Sequence, residues 1–138
     1  MENIIVTGSC GFIGHNFIKS NSSNFKIIGI DSLNNAYDKK IKELRLSSLN
    51  DEQNFTFKHL DLSDENALDK ESEIFENVST VLHLGARAGV RQSFLDPKSY
   101  ILDNTAATAN LALNVKKHKI KKFIIASTSS IYGDTGVN

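Results

Sequence analysis

The chain has 138 residues, of which 40% are hydrophobic and 23% charged, and its formal net charge at pH 7 is zero. This size and composition predict one globular domain and exclude a disordered or fibrous chain. The balanced charge argues against nucleic acid or an anionic membrane surface as a partner, and the apolar runs are too short to span a membrane. The single cysteine excludes an internal disulfide, which is compatible with a cytoplasmic protein.

Short apolar runs alternate with helical patterns along the chain. The predicted strands are Asn3–Thr7, Phe25–Asp31, Phe55–Leu60, Thr80–Leu84 and Lys122–Ser127. The predicted helices are Phe12–Asn21, Asp38–Leu49, Glu65–Glu76 and Pro97–Lys117, the last with Asp96 as its cap. This alternation predicts an α/β fold, a doubly wound parallel sheet of Rossmann type with strand order 3-2-1-4-5. A ligand crevice is then expected at the carboxyl ends of strands 1 and 4.

Three glycines, Gly8, Gly11 and Gly14, connect the first strand to the first helix. Glycine allows positive φ and lets the backbone approach a pyrophosphate without a Cβ in the way. The amides of the first helical turn, at Phe12 and Ile13, favour an anion. The spacing therefore predicts a dinucleotide site, and the alternative is a tight turn that binds no ligand.

Asp31 ends the second predicted strand, where a carboxylate can accept hydrogen bonds from both hydroxyls of an adenosine ribose. The same carboxylate would repel a phosphate on that ribose. No arginine occurs in the segment 32–35 that follows. The sequence therefore predicts that NAD is preferred to NADP, the alternative being a solvated loop acid.

Cys10 and His83 each have a chemical and a purely structural interpretation. Cys10 lies inside the glycine loop, where a small residue beside a phosphate is favoured over a reactive thiol. His83 lies on a buried strand, which favours a core histidine over a catalytic one. The histidines, cysteine and carboxylates show no metal-ligand spacing, so no metal site is predicted.

The residues after the third and fourth strands are candidates for the rest of the cofactor site. Asp61, with Leu62 beside it, is placed to meet the exocyclic amine of adenine or, alternatively, to cap the next helix. The small residues that follow the fourth strand allow close approach of the nicotinamide half. Arg87 and Arg91 then follow, either as partners of an anionic ligand or as solvated loop cations.

The fifth strand ends in four consecutive hydroxyl residues, Ser127, Thr128, Ser129 and Ser130. Buried hydroxyls need hydrogen-bond partners, so this run is poor core material. A substrate with several hydroxyls would supply such partners.

The segment Thr7–Gly14, with Ile131, Tyr132 and Gly133, resembles the extended short-chain dehydrogenases that act on nucleotide sugars, over the whole chain. Within that group, Ile30–Asp38 and Ala88–Ser93 are most similar to UDP-glucuronate 4-epimerases, and UDP-glucose 4-epimerases come next. The resemblance implies a tightly held NAD that takes hydride from C4 of the sugar and returns it to the other face.

The resemblance also implies roles for individual residues. Those matching cofactor-binding positions are Gly8, Gly11, Phe12, Ile13, Gly14, Asp31, Asn34, Asp61, Leu62, Leu84, Gly85, Ala86, Asn104 and Ser127. Those matching substrate-binding positions are Arg91, Thr128 and Ser129, with Thr128 on the catalytic Ser or Thr that contacts the reacting hydroxyl.

In the family a tyrosine in a Tyr-x-x-x-Lys pair acts as the base, and none of the three tyrosines here is followed by lysine at that spacing. The resemblance places that pair and the substrate domain beyond Asn138. Residues 1–138 are thus expected to be the NAD-binding portion, inactive alone, which meets a nucleotide sugar only with a C-terminal half. Alternatives are a non-catalytic dinucleotide module such as a redox sensor, and a decarboxylase or dehydratase of the same family. The resemblance further implies a homodimer that associates through the helix Pro97–Lys117.

Overall fold

A computed structural model describes residues 1–133, apart from the Ser130 side chain, which leaves that member of the hydroxyl run outside the described residues. Its centre is a parallel sheet of five strands in the order β3-β2-β1-β4-β5, which confirms the predicted topology. The strands are β1 (Glu2–Thr7), β2 (Phe25–Asp31), β3 (Phe55–His59), β4 (Val78–His83) and β5 (Lys122–Ile125).

Helices connect the strands and cover the sheet. They are α1 (Phe12–Asn21), α2 (Lys39–Leu49), α3 (Glu65–Lys70), α4 (Val90–Leu95), α5 (Pro97–Tyr100) and α6 (Ala107–Lys117). Short 3-10 turns occupy Ser72–Phe75 and Ser129–Tyr132, and a π-helical segment occupies Ile101–Ala106. Within residues 1–133, none of these helices has the length and apolar character needed to cross a membrane.

Alternation along β1 divides the core between the two faces of the sheet. Ile5 packs into a cluster with Leu68, Phe75 and Leu111, whereas Ile4 packs with Ile18 and other residues on the opposite face. Because both faces of the central strand are covered, its residues from Ile4 onward are buried. Burying each such aliphatic side chain contributes about 1.5–3 kcal/mol, so β1 is a rigid base for the loop that follows it.

The predicted helix Pro97–Lys117 is continuous in space but irregular. It begins as predicted at Pro97, with the Asp96 carboxylate accepting a hydrogen bond from Ser99 N at 3.2 Å. Between α5 and α6 it changes to π-helical hydrogen bonding over Ile101–Ala106. Residue patterns do not reveal a π segment, since it leaves composition and approximate periodicity unchanged.

Several predicted boundaries were wrong. The predicted helix Glu65–Glu76 ends at Lys70 and continues as a 3-10 turn, and β5 ends at Ile125 rather than at Ser127. The third strand ends at His59 and the fourth at His83, each one residue early. Helix α4 was not predicted, because all its residues are outside the core and it therefore has no buried apolar face.

Candidate functional site

An open cleft of about 630 Å³, partly continuous with solvent, lies at the carboxyl ends of the four strands β1 to β4. Residues from the glycine loop, from the segments that follow β2, β3 and β4, and from the long helix form its walls. They are Gly8, Gly11, Ile30, Asp31, Ser32, Asn34, Ala36, Tyr37, Lys42, Leu60, Asp61, Leu62, Leu84, Gly85, Ala86, Asp103 and Ala107. This is the place at which a doubly wound sheet binds ligands.

The glycine loop is packed so tightly that side chains do not fit at two of its three glycines. Gly8 has φ +65°, and a Cβ there would lie 2.8 Å from Gly85 Cα. A Cβ on Gly14 would lie 2.2 Å from the carbonyl oxygen of Gly8. Gly11 N donates to that same oxygen at 2.9 Å, which closes the turn. Gly8 and Gly11 line the cleft, while Gly14 lets the start of α1 pack against the loop.

Helix α1 starts at this loop with Gly11 as its N-cap, and no side chain caps its first-turn amides. The side chains of Phe12 and Ile13 are 70% and 64% exposed and do not line the cleft, so what these two residues bring to the site is backbone. An uncapped helix N-terminus in this position favours an anionic group.

Cys10 lies within the loop but is fully buried. Burial, reinforced by the nearby Asp31 carboxylate, raises the pKa of its thiol to about 11. The thiolate is therefore scarce at neutral pH, which disfavours the reactive-thiol interpretation. The backbone of Cys10 is structurally important, because its N–H donates to Asp31 Oδ2 at 3.1 Å.

Asp31 is buried at the edge of the cleft and pairs with a cation. Its Oδ1 accepts hydrogen bonds from Leu33 N at 2.8 Å and from Lys42 Nζ at 3.2 Å. Lys42 was not predicted as a site residue, because it lies 11 positions after Asp31, on α2, and outside the segment 32–35 that follows the carboxylate. The sequence feature that could have indicated this ion pair is the position of Lys42 in the first turn of α2, the helix that follows the loop after Asp31.

Polar side chains join the loop after β2 to the far wall of the cleft. Asn34 Nδ2 donates to Asp103 Oδ2 at 2.9 Å, and its Oδ1 accepts from Lys42 Nζ at 3.0 Å. The guanidinium of Arg87 donates to the same Asp103 oxygen at 2.5 Å, and both side chains of this ion pair are largely buried. Arg87, interpreted as either a ligand partner or a solvated cation, is thus held in a protein ion pair.

Asn104 fixes the loop after β4 through its side-chain amide. Its Oδ1 accepts from Arg87 N at 2.7 Å, and its Nδ2 donates to Arg87 O at 2.9 Å. It does not line the cleft, so in this structure it contacts the wall rather than the space within. The π segment carries both Asp103 and Asn104, and such segments often occur at functional sites.

Asp61 and Leu62 line the cleft at the end of β3. The alternative role of Asp61 as a helix cap is taken by another residue: Asp64 accepts from Ala67 N at 3.1 Å and caps α3. Asp61 instead accepts from the backbone N–H and the hydroxyl of Ser63, both at 2.8 Å through Oδ1. Asp61 is exposed at the cleft, and its contact with adenine stays a prediction.

His83 lies in a buried hydrogen-bond chain, which confirms the prediction of a core histidine. Thr7 Oγ1 accepts from the amides of Leu84 and Gly85 at 3.2 and 3.1 Å, so its own hydrogen is directed to His83 Nδ1 at 2.6 Å. His83 Nε2 then donates to Thr108 Oγ1 at 2.9 Å. Burial lowers the pKa of this imidazole, consistent with the neutral form that the chain requires. The network fixes the small-residue loop at the cleft.

The predicted substrate residues lie apart from the walls of this cleft. Thr128 and Ser129 follow the end of β5, and Arg91 is exposed on α4. Ser127, predicted as a cofactor residue, also follows β5 and does not line the cleft. The structure thus brings together most of the predicted cofactor residues, and it locates the predicted substrate residues on separate segments.

A family profile described as the NAD dependent epimerase/dehydratase family matches residues 4–137. A UDP-glucuronate 4-epimerase of Thermodesulfobacterium geofontis is 41% identical over 134 residues, which are 93% of this chain and 40% of the relative. A UDP-glucose 4-epimerase of Dictyostelium discoideum is 34% identical over 136 residues, 96% of this chain and 38% of the relative.

Solved structures of nucleotide-sugar 4-epimerases are also similar to this chain. The UDP-glucuronic acid 4-epimerase of Bacillus cereus, in complex with UDP-glucuronic acid and NAD, is 31% identical and superposes with a TM-score of 0.82. It matches over 96% of this chain and 42% of its own length. A UDP-N-acetylglucosamine 4-epimerase of Methanobrevibacter ruminantium gives 30% identity and a TM-score of 0.81. The chain therefore spans about two fifths of the length of the relatives it matches.

Proposed function

Because the chain belongs to the NAD dependent epimerase/dehydratase family, we propose that residues 1–138 form the NAD-binding part of a nucleotide-sugar 4-epimerase. The substrate would be of the UDP-glucuronate or UDP-glucose type, as in the relatives from Thermodesulfobacterium and Dictyostelium. When bound, NAD supplies the acceptor that takes hydride from C4 of the sugar and gives it back.

The observation that carries this proposal is the fit of the cleft to a dinucleotide. The absence of side chains at Gly8 and Gly14 leaves a closely packed backbone turn against an uncapped helix N-terminus, which suits a pyrophosphate. Buried Asp31 and exposed Asp61 both line the same cleft, where they would contact the adenosine half. Leu84, Gly85 and Ala86 also line the cleft, and the small or absent side chains at Gly85 and Ala86 would allow close approach of the nicotinamide half.

Titration calorimetry of the 138-residue chain with NAD tests the cofactor site. We expect one NAD to bind per chain. Asp61→Asn should lower the affinity for NAD about tenfold, since a charge-assisted hydrogen bond contributes about 1.5 kcal/mol. Asp64→Asn is the matched control, because Asp64 caps α3 outside the cleft. Failure of NAD to bind, or equal effects of the two substitutions on affinity, would contradict the proposal.

We expect the chain alone to epimerise no UDP-sugar, since its 138 residues hold no Tyr-x-x-x-Lys pair. A chimera tests the sugar chemistry directly: residues 4–137 replace the matching segment of the Thermodesulfobacterium enzyme. The chimera should bind NAD and convert UDP-glucuronate to its 4-epimer. A folded chimera that binds no NAD, or that binds NAD without epimerising UDP-glucuronate, would contradict the proposal.

Thr128 is proposed to contact the reacting hydroxyl of the sugar. In the chimera, Thr128→Val should lower kcat about 100-fold or more while NAD affinity stays the same, since the contact serves proton transfer. Thr56→Val, at an exposed position of β3, is the control. An unchanged kcat in the Thr128 variant would refute this role.

A further inference from the structure

We propose that Asp31 gives this site its preference for NAD over NADP and that Lys42, paired with Asp31, limits the size of that preference. The inference rests on the proposed NAD site and concerns a residue that the sequence patterns did not identify. A lone Asp31 carboxylate would simply repel a 2′-phosphate. Here the positive charge of Lys42 opposes that repulsion, so the two charges together decide the affinity for NADP.

Lys42 and Asp31 form a buried ion pair at the wall of the cleft. Lys42 Nζ lies 3.2 Å from Asp31 Oδ1, and the side chains are only 8% and 5% exposed. Both residues line the cleft, as does Asn34, whose Oδ1 accepts a second hydrogen bond from Lys42. The Tyr37 ring lies 5.3 Å from Nζ and covers it from another side.

Hydrogen-bond capacity shows how the pair can read a ribose. A carboxylate accepts about four hydrogen bonds and an ammonium group donates three. Asp31 accepts three, from Cys10 N, Leu33 N and Lys42. Lys42 donates two, to Asp31 and Asn34. By this count one acceptor position on Asp31 Oδ2 and one donor on Lys42 remain, enough to serve two adjacent hydroxyls.

The charges around the pair indicate what each residue contributes to discrimination. Asp31 opposes a 2′-phosphate, whereas Lys42 attracts it from a neighbouring position. Arg45 adds a second cation on the flank, where its Nη1 lies 3.3 Å from Cys10 O and 3.0 Å from Tyr37 Oη. Arg87 and Asp103, on the opposite wall, neutralise each other. Discrimination against NADP therefore requires that the repulsion of a 2′-phosphate by Asp31 exceed its attraction by Lys42 and Arg45.

The consequence is that the two residues act in opposite directions on the ratio of the dissociation constants, Kd of NADP over Kd of NAD. Removing Lys42 leaves Asp31 unopposed and raises the ratio. Removing Asp31 leaves Lys42 and Arg45 unopposed and lowers it. If Asp31 acted alone, its removal would lower the ratio less, and removal of Lys42 would leave the ratio unchanged.

The test is calorimetric titration of the 138-residue chain with NAD and with NADP at low ionic strength. The variants are Lys42→Met, Asp31→Asn, the double variant, and Lys40→Met as an exposed lysine control on the same helix. We expect the wild type to prefer NAD, Lys42→Met to raise the ratio about tenfold, and Asp31→Asn to lower it by about tenfold or more. The double variant should fall between the two single variants, and Lys40→Met should match the wild type.

Folding of each variant is checked by circular dichroism and thermal melting, because Lys42→Met leaves a buried carboxylate without its cation. If that variant does not fold, the comparison of Asp31→Asn with the double variant still decides the matter. Equal ratios in those two proteins, or a folded Lys42→Met with the wild-type ratio, overturn the proposal. A wild-type chain that binds neither dinucleotide overturns the proposed function itself, which is a distinct result.

Discussion

Gly14→Ala tests whether the glycine loop is constrained by its own backbone packing. Helix propensity alone predicts a gain, because alanine in a helix interior is favoured over glycine by up to about 1 kcal/mol. The structure predicts the opposite sign. The new Cβ would lie 2.2 Å from Gly8 O and 3.1 Å from Ser9 Cα, and both neighbours are backbone.

The loop has little freedom to move away from that Cβ. Gly8 O is held by the amide of Gly11 at 2.9 Å, and Gly8 itself lies against Gly85. Overpacking of this kind costs about 3 kcal/mol at its upper range. After subtraction of the propensity gain, Gly14→Ala should lower the free energy of unfolding by about 2 kcal/mol. The substitution should also lower the affinity for NAD about tenfold or more, because the new Cβ would displace Gly8, which lines the cleft.

Urea denaturation followed by circular dichroism measures the stability, and calorimetry measures the affinity. Ser20→Ala is the control, since Ser20 is exposed on the same helix and the substitution there has only its small propensity effect. A Gly14→Ala chain as stable as the wild type, with unchanged NAD affinity, would refute the packing argument.

Two further predictions concern the buried hydrogen-bond chain. Thr7→Val removes the acceptor of two backbone amides and the donor to His83, so the free energy of unfolding should fall by about 2–4 kcal/mol, whereas Thr56→Val should change it little. Urea titrations of both variants check this, and equal effects would contradict it. Because burial lowers the folded-state pKa of His83 below 6.5, the unfolded chain binds more protons as the pH falls through 6.5, and stability should decline there. Unfolding free energies measured between about pH 7 and 5.5 should fall by at most about 1.4 kcal/mol per pH unit for this proton, and His83→Gln should flatten the profile. His15, whose pKa burial also lowers, accounts for a residual slope, and an unchanged slope in the variant would show that His83 is not responsible.

The sheet and the main features of the site follow from local patterns. Strand β2 has its predicted bounds, since a buried parallel strand is a continuous apolar run that ends in the polar Asp31. The strand order follows from the alternation of elements and the handedness of crossovers.

What sequence reasoning missed depends on contacts between distant segments. Strand β4 ends at His83 because the next two amides donate to the Thr7 side chain, and no pattern near residue 84 records that. The pairing of Lys42 with Asp31 needs the position of α2 beside β2, and the ion pair of Arg87 with Asp103 needs the π segment. Local patterns predict where the cleft is, and tertiary contacts decide its charge.

The π segment between α5 and α6 also affects how this chain is aligned with others. A π-helical turn holds one residue more than an α-helical turn, so it is in effect a single-residue insertion inside a helix. Beyond it, α6 resumes with Ala107, Leu111 and Asn114 facing the protein interior. A homologous helix that is α-helical throughout would be one residue shorter here while both its flanks stay in register. An ungapped alignment would then assign the roles of Asp103 and Asn104 to the wrong neighbours.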